Sequence, residues 1–199
     1  MRCFIALPLP EEAREALYRS MAALRGRWPR LAWASPGGYH LTLAFLGEIG
    51  QDAVACAHRA LEAAAKAPCL EFSFSSFEYL PPRGRPRVLY AGLLEQPAGA
   101  SETAYRLLNE ALAKEGREAG LPPLNAEWGP GGRPYLPHAT LARVKPGAAF
   151  PEREALSRFA PPGGSWTIDR CALYKSELRP GGAVYSELGV VGLLSRRGD

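Results

Sequence analysis

Two stretches decide how this chain is read: Tyr39-His40-Leu41-Thr42-Leu43-Ala44-Phe45-Leu46 and, in the second half, Pro137-His138-Ala139-Thr140-Leu141-Ala142-Arg143. Each reads as a buried strand, the first starting after the breaker Pro36-Gly37-Gly38. Strand side chains i and i+2 share a face, about 6–7 Å apart. His40 and Thr42 therefore point one way, while Leu41 and Leu43 point into a core. His138 and Thr140 repeat this over Ala139 and Leu141. The chain holds 3 histidines and 4 threonines in 199 residues. Two chance His-x-Thr matches then have odds of roughly 0.1%. A structural role is the commoner explanation for one histidine alone, but the agreement of two spacings favours chemistry. His58 lacks a threonine partner, sits on a predicted helix and is read as structural.

Working outward, Arg2–Leu7 predicts a strand ended by Pro8 and Pro10, and Glu11-Glu12 opens a helix running to about Arg25. Asp52–Lys66 predicts a second helix, Leu70–Leu80 a strand with one irregular step, and Arg87–Leu93 another strand. Ser101 is placed as the cap of a helix bearing Leu107, Leu108, Ala111 and Leu112. The Pro/Gly-rich stretch Gly120–Pro134 reads as irregular and Tyr135–Val144 as a strand. A short helix over Glu152–Phe159 follows. Strands Trp166–Glu177 and Ala183–Val191 then pair around Arg179-Pro180-Gly181-Gly182. Short links between strand pairs argue for antiparallel pairing. The expected fold is α+β: one bilobal domain over 1–199, two similar antiparallel sheets facing a central groove, helices outside.

Composition narrows the class. Apolar residues make up 47% and charged residues 22%, with Gly 21 and Pro 19, which fits a globular chain rich in turns. No apolar run reaches the roughly 18–20 residues of a membrane helix, and no signal-peptide core precedes Glu11, so a cytoplasmic protein is expected. The formal net charge of +4 tilts only weakly toward polyanions. Cys3, Cys56, Cys69 and Cys171 lack C-x-x-C spacing, and Cys56 and His58 fall on different helix faces. No metal site and no phosphate-binding glycine loop is read from the sequence.

Two imidazoles and two hydroxyls converging on one groove suit a phosphate diester. Hydrolysis needs a base for the attacking water and an acid for the departing alkoxide. An imidazole of unperturbed pKa near 6.5 can do either, each role typically worth ~10²–10⁴ in rate. Thr42 and Thr140 can donate to the non-bridging oxygens, where charge builds. The chemistry alone does not say which histidine is the acid. The expected kcat/KM profile is a bell around pH 6–7.

At these motifs the chain resembles the 2H phosphoesterase superfamily, in particular the RNA 2′,3′-cyclic phosphodiesterases historically called 2′-5′ RNA ligases. The likeness includes Arg2-Cys3-Phe4-Ile5-Ala6-Leu7-Pro8, Pro86-Arg87-Val88-Leu89-Tyr90-Ala91-Gly92 and Leu173–Tyr185. The resemblance implies opening of RNA 2′,3′-cyclic phosphate ends to 2′-phosphomonoesters, with reversible 2′-5′ joining of tRNA halves on the same residues. It implies His40 as proton donor to the leaving 3′-oxygen and His138 as the base, with no cofactor and a monomer acting on RNA. A binding module without turnover is one alternative. A related activity on another cyclic phosphate or a 2′-5′ oligonucleotide is another.

Simple pleating turns Arg143 away from His138. The resemblance implies substrate contact, which requires a strand end or bulge near Ala142. Phe4, Tyr39 and Tyr135 either stack a base or ribose at the groove wall or fill the core. Phe4 and Tyr39 join Arg143 as candidate substrate contacts. Arg83, Arg85 and Arg87 either track RNA phosphates or form a solvated loop.

Overall fold

The computed structural model describes residues 1–120, 135–179 and 182–195. The strands are β1 Arg2–Pro8, β2 Ala32–Trp33, β3 His40–Glu48, β4 Leu70–Leu80 and β5 Val88–Gln96, then β6 His138–Arg143, β7 Trp166–Ile168, β8 Arg170–Arg179 and β9 Gly182–Gly192. The helices are α1 Glu11–Ser20, α2 Ala22–Arg27, α3 Gln51–Ala64, α4 Ala100–Glu118 and α5 Arg153–Leu156. The expected irregular stretch after Gly120 and the tip of the last hairpin fall on 121–134 and 180–181, outside the described residues.

The α+β class and antiparallel pairing hold. The spatial order is β7-β4-β5-β6-β3-β1-β8-β9, with β2 on β6. Two four-stranded halves are visible in it, β6-β5-β4-β7 and β3-β1-β8-β9, each with its histidine strand innermost. In each half that strand pairs with one that lies before it across helical chain: β1, then α1, α2 and the two-residue β2, then β3; and β5, α4, then β6. The halves join side by side into one curled sheet of nine described strands, where the sequence suggested two sheets facing each other. A single registered pair, Leu41 with Ala139, closes the seam.

The core lies on the helix-bearing face, where Ile5, Leu7, Leu41, Leu43, Ala139 and Leu141 are buried against helix residues such as Leu17, Leu61 and Leu108. The opposite face carries the polar members of the motifs. In β3 and β6, His, Leu or Ala, Thr and Leu alternate half-buried and buried as pleating requires.

Four local expectations need correction; one is the single strand Trp166–Glu177, which divides at Asp169 into β7, paired with β4, and β8, paired with β1. The first helix breaks at Met21 into α1 and α2, where the Ser20 hydroxyl bonds back to the Leu17 carbonyl at 2.8 Å and competes with the helical ladder. The α4 N-cap is Gly99, not Ser101. Ser101 is buried and gives both its hydroxyl and its backbone N–H to the Glu95 carboxylate, which places a negative group at the helix N-terminus. The two-residue β2, too short for a periodic signal, was not expected.

Candidate active site

The antiparallel pair Leu41–Ala139 fixes the centre of the site. Extending its register by one residue sets Thr42 across from His138 and His40 across from Thr140, all on the face away from the helices. Diagonal cross-strand neighbours sit about 7–8 Å apart, a separation from which two imidazoles can reach opposite sides of one tetrahedral phosphate, and the charge of His138 acts on His40. An approximate dyad passes between Leu41 and Ala139 and relates the two His-x-Thr units. The motifs therefore converge because their strands are neighbours, not because two sheets face one another.

Both rings are held from behind. His138 Nδ1 lies 2.8 Å from the Leu136 carbonyl oxygen. A carbonyl only accepts, so Nδ1 carries the proton and Nε2 is left as the acceptor. The His40 ring likewise bonds the backbone of Gly38, again two residues earlier. Phe4 stacks on His40 with ring centroids 4.8 Å apart and 28° from parallel, and stacks in turn on Tyr174 at 5.2 Å. Tyr185 meets His40 edge-on at 5.5 Å. On the other side, Tyr90 meets His138 edge-on at 5.3 Å. Two of these tyrosines are tied down by glutamates: Tyr90 donates to Glu78 and Tyr174 to Glu187, both at 3.1 Å. Gly92 stands opposite His138, where a β-carbon would come 2.6 Å from Ser75 Oγ in the β4 bulge.

Burial penalises the charged imidazoles. It pulls His40 down to about 4, partly offset by the Gly38 hydrogen bond, with the charge of His138 pushing the same way as burial. His138 is also lowered, by burial first and by Arg143 as well, against the Leu136 hydrogen bond. Protonating one ring opposes protonating the other, so the pair titrates together. An anionic phosphate between the rings reverses the penalty and draws a proton into the pair.

Both motif strands carry a bulge at the same place. Across from β1, β3 has an extra residue between Thr42 and Ala44; across from β5, β6 has one between Thr140 and Ala142. Leu43-Ala44 and Leu141-Ala142 are consequently each buried in succession, and the parity flips. Arg143 returns to the face of His138 and Thr140, where its charge acts on His138 and on Tyr185. Its counterpart Phe45 returns to the face of Thr42, 49% exposed. Phe45, Tyr105, Tyr135 and Leu136 wall a largely apolar pocket floored by Thr42 and His138. Phe45 was not singled out from the sequence. The signal lay in the repeat itself, since Thr-Leu-Ala follows each histidine motif and ends in Phe45 or Arg143.

Two candidate contacts change role. Tyr39 is only 1% exposed; it points into the core, and its hydroxyl donates to the Ala34 carbonyl at 3.3 Å. It precedes His40 on a pleated strand and must face the other way. Phe4 is 4% exposed and is covered by the His40 ring, so it supports the histidine in place of touching substrate. Tyr135 stacks on Tyr105 at 4.7 Å and lines the pocket. Arg83, Arg85 and Arg87 are exposed, and Arg85 reaches the Ala148 carbonyl at 3.3 Å and lies over Phe150. Among the described residues no group of three or more His, Cys, Asp or Glu is placed to hold a metal ion, and no helix is long and apolar enough to cross a membrane.

The chain is similar to known proteins in sequence and in fold. The profile of the 2′-5′ RNA ligase superfamily matches residues 9–180. A Thermus thermophilus protein named RNA 2′,3′-cyclic phosphodiesterase is 35% identical over 213 aligned positions, covering 100% of this chain and 93% of its own. A Thermotoga maritima protein of the same name is 28% identical, covering 94% of this chain and 93% of its own. The crystal structure of TT0787 from Thermus thermophilus superposes with a TM-score of 0.69 at 30% identity, over 99% of this chain and 100% of that one.

Proposed function

The chain belongs to the 2′-5′ RNA ligase superfamily, and from that premise we propose that it hydrolyses 2′,3′-cyclic phosphate ends of RNA to 2′-phosphomonoesters. The observation that carries the reading is the pair of His-x-Thr units on adjacent antiparallel strands, related by a local dyad through the Leu41–Ala139 pair. Relatives that match this chain over nearly its whole length are named for that activity.

In the reaction, His138 Nε2 takes a proton from water as the water oxygen attacks phosphorus in line with the 3′-oxygen. The P–O3′ bond breaks, and His40 delivers a proton to the departing 3′-oxygen. The Leu136 carbonyl supports the imidazolium that forms on His138, because Nδ1–H already donates to it. Thr42 and Thr140 donate to the non-bridging oxygens, and Arg143, brought round by its bulge, offers a planar fork to the same anion. The two imidazoles supply both proton transfers, so no step calls for a metal ion. The assignment of His40 as acid follows the family resemblance. With a 5′-hydroxyl in place of water as the nucleophile, the same groups open the 2′,3′-cyclic phosphate to a 2′-5′ linkage as P–O3′ breaks. Microscopic reversibility lets them return it to the cyclic phosphate and the free 5′-hydroxyl.

The deciding experiment uses an RNA oligonucleotide ending in a 2′,3′-cyclic phosphate, incubated with EDTA, with the product identified by phosphorus NMR. A 2′-phosphomonoester is expected. An unchanged substrate identifies a binding module, and a 3′-phosphate overturns the regiochemistry.

The lowered imidazoles move the expected pH optimum. The productive state has one ring charged and one neutral, and kcat/KM reports the free enzyme. Burial brings both rings below 6.5, His40 to about 4. The bell in kcat/KM is therefore expected to lie acid of pH 6.5 rather than at pH 6–7. The kcat profile should sit at higher pH, because bound phosphate restores the charged form. A kcat/KM optimum above pH 7 contradicts this account.

Arg143→Ala is expected to lower kcat/KM by about 10–100-fold, the range of one or two charge-assisted hydrogen bonds. Arg143→Lys should recover only part, since an ammonium lacks the fork. Full activity in the alanine variant would remove Arg143 from the site.

A further inference from the structure

We propose that Arg2, at the start of β1, together with Tyr185 forms a second anion subsite for the internucleotide phosphate preceding the cyclic end, so that the site favours a strand end over a free nucleotide. The proposal rests on the phosphodiesterase reading above and concerns what lies beyond the scissile phosphate.

β1 pairs with β8 without interruption, Cys3 with Lys175, Phe4 with Tyr174, Ile5 with Leu173 and Ala6 with Ala172. Arg2, Phe4 and Ala6 thus share one face, the one on which Phe4 meets His40. Two residues along a strand is about 6–7 Å, which carries Arg2 beyond Phe4 to the Glu48 end of β1, away from Pro8, the residue across from His40. From there its long side chain suits a phosphate next to the scissile one rather than the scissile phosphate itself. Tyr185 comes from the other hairpin: β9 pairs with β8 through Tyr185 and Ser176, and its ring packs on Phe4 at 4.9 Å. Arg143 and Arg2, one from each half of the sheet, both lie close enough for their charge to act on the Tyr185 phenol, and the Tyr185 ring meets His40 edge-on at 5.5 Å.

Among the described residues, Arg2 is exposed and forms no ion pair. Its cross-strand neighbour Glu48 is taken by the Met1 ammonium at 3.5 Å. The nearest acid on β8, Glu177, is held by Lys175 and Arg179. The base of the strand is fixed, since the Met1 ammonium also donates to the Ile49 carbonyl at 2.7 Å. An arginine on a pinned strand, facing the groove with its fork open, suits a phosphate better than solvent alone explains.

The test compares two diadenosine substrates ending in a 2′,3′-cyclic phosphate, one with a normal phosphodiester linkage and one with a neutral methylphosphonate linkage. The wild type should favour the charged linkage by about tenfold in kcat/KM. In Arg2→Ala that preference should fall to within about twofold, with partial recovery in Arg2→Lys. A structural role for Arg2 would lower both substrates together and leave the ratio unmoved, which overturns the subsite, as does a wild type indifferent to the linkage charge. A wild type that opens neither substrate refutes the phosphodiesterase reading itself, and the subsite with it.

Discussion

Alanine at His138 is expected to lower kcat by about 10²–10⁴, the range typical of a positioned general base. The imidazole stands on a face turned away from the helix-backed core, with Nδ1 committed to Leu136 and Nε2 presented to the groove. Removing it leaves the threonines and Arg143 able to bind phosphate, so kcat should fall far more than KM rises. His40→Ala should lose a comparable factor through the leaving group. The double variant should be little worse than either single one, because an unassisted acid gains nothing from a surviving base. Thr42→Ala and Thr140→Ala should each cost less, since one neutral hydrogen bond is worth about 0.5–1.5 kcal/mol. Steady-state rates on a cyclic-phosphate RNA end, with circular dichroism to verify folding, provide the check. Near-wild-type turnover in either folded histidine variant would refute the two-histidine mechanism.

Phe4→Ala should destabilise the protein by about 3–5 kcal/mol, the usual cost of removing a buried phenyl ring. The side chain sits under His40 and on Tyr174, with Tyr185 against its edge and Phe45 6.3 Å away. Its loss leaves a void beneath His40, one of the two imidazoles on which the proposed chemistry depends. Turnover should fall too, because His40 then gains freedom to leave the line of the scissile bond. Phe4→Leu, which refills much of the volume without a flat ring, should recover more stability than rate. Urea midpoints and kcat for the two variants measure this split. An unchanged midpoint in Phe4→Ala would show that Phe4 is not the support its burial indicates.

How much of this was legible from residues varies with distance along the chain. The alternation in His40-Leu41-Thr42-Leu43 and its echo at 138–141 gave the strands, their buried face and the candidate pair of histidines. Those features depend on a period of two that any extended backbone obeys. The Phe74–Phe77 step in β4 was visible as irregular spacing, and it is a bulge. Phe4 and Tyr39 were harder. Both are aromatics beside a motif, and only the pairing of β1 with β3 and β8 shows one beneath His40 and the other in the core. Arg143 is the sharpest instance, because pleating counted from His138 gives the wrong face. An extra residue opposite β5 moves it back, and that residue is defined only by the neighbouring strand.

What the amino-acid order determined alone was therefore local: which segments extend or coil, which side of each strand is apolar, and which two histidines carry hydroxyl companions. The tertiary structure decided adjacency. It made β3 and β6 direct neighbours through Leu41 and Ala139, inserted the paired bulges that deliver Phe45 and Arg143 to the groove, and swung Tyr185 in from the last hairpin. Side-chain direction is set by the backbone of a single strand. Strand partners and register are set by burying the whole helix-backed face at once, a sum over residues that no short window contains.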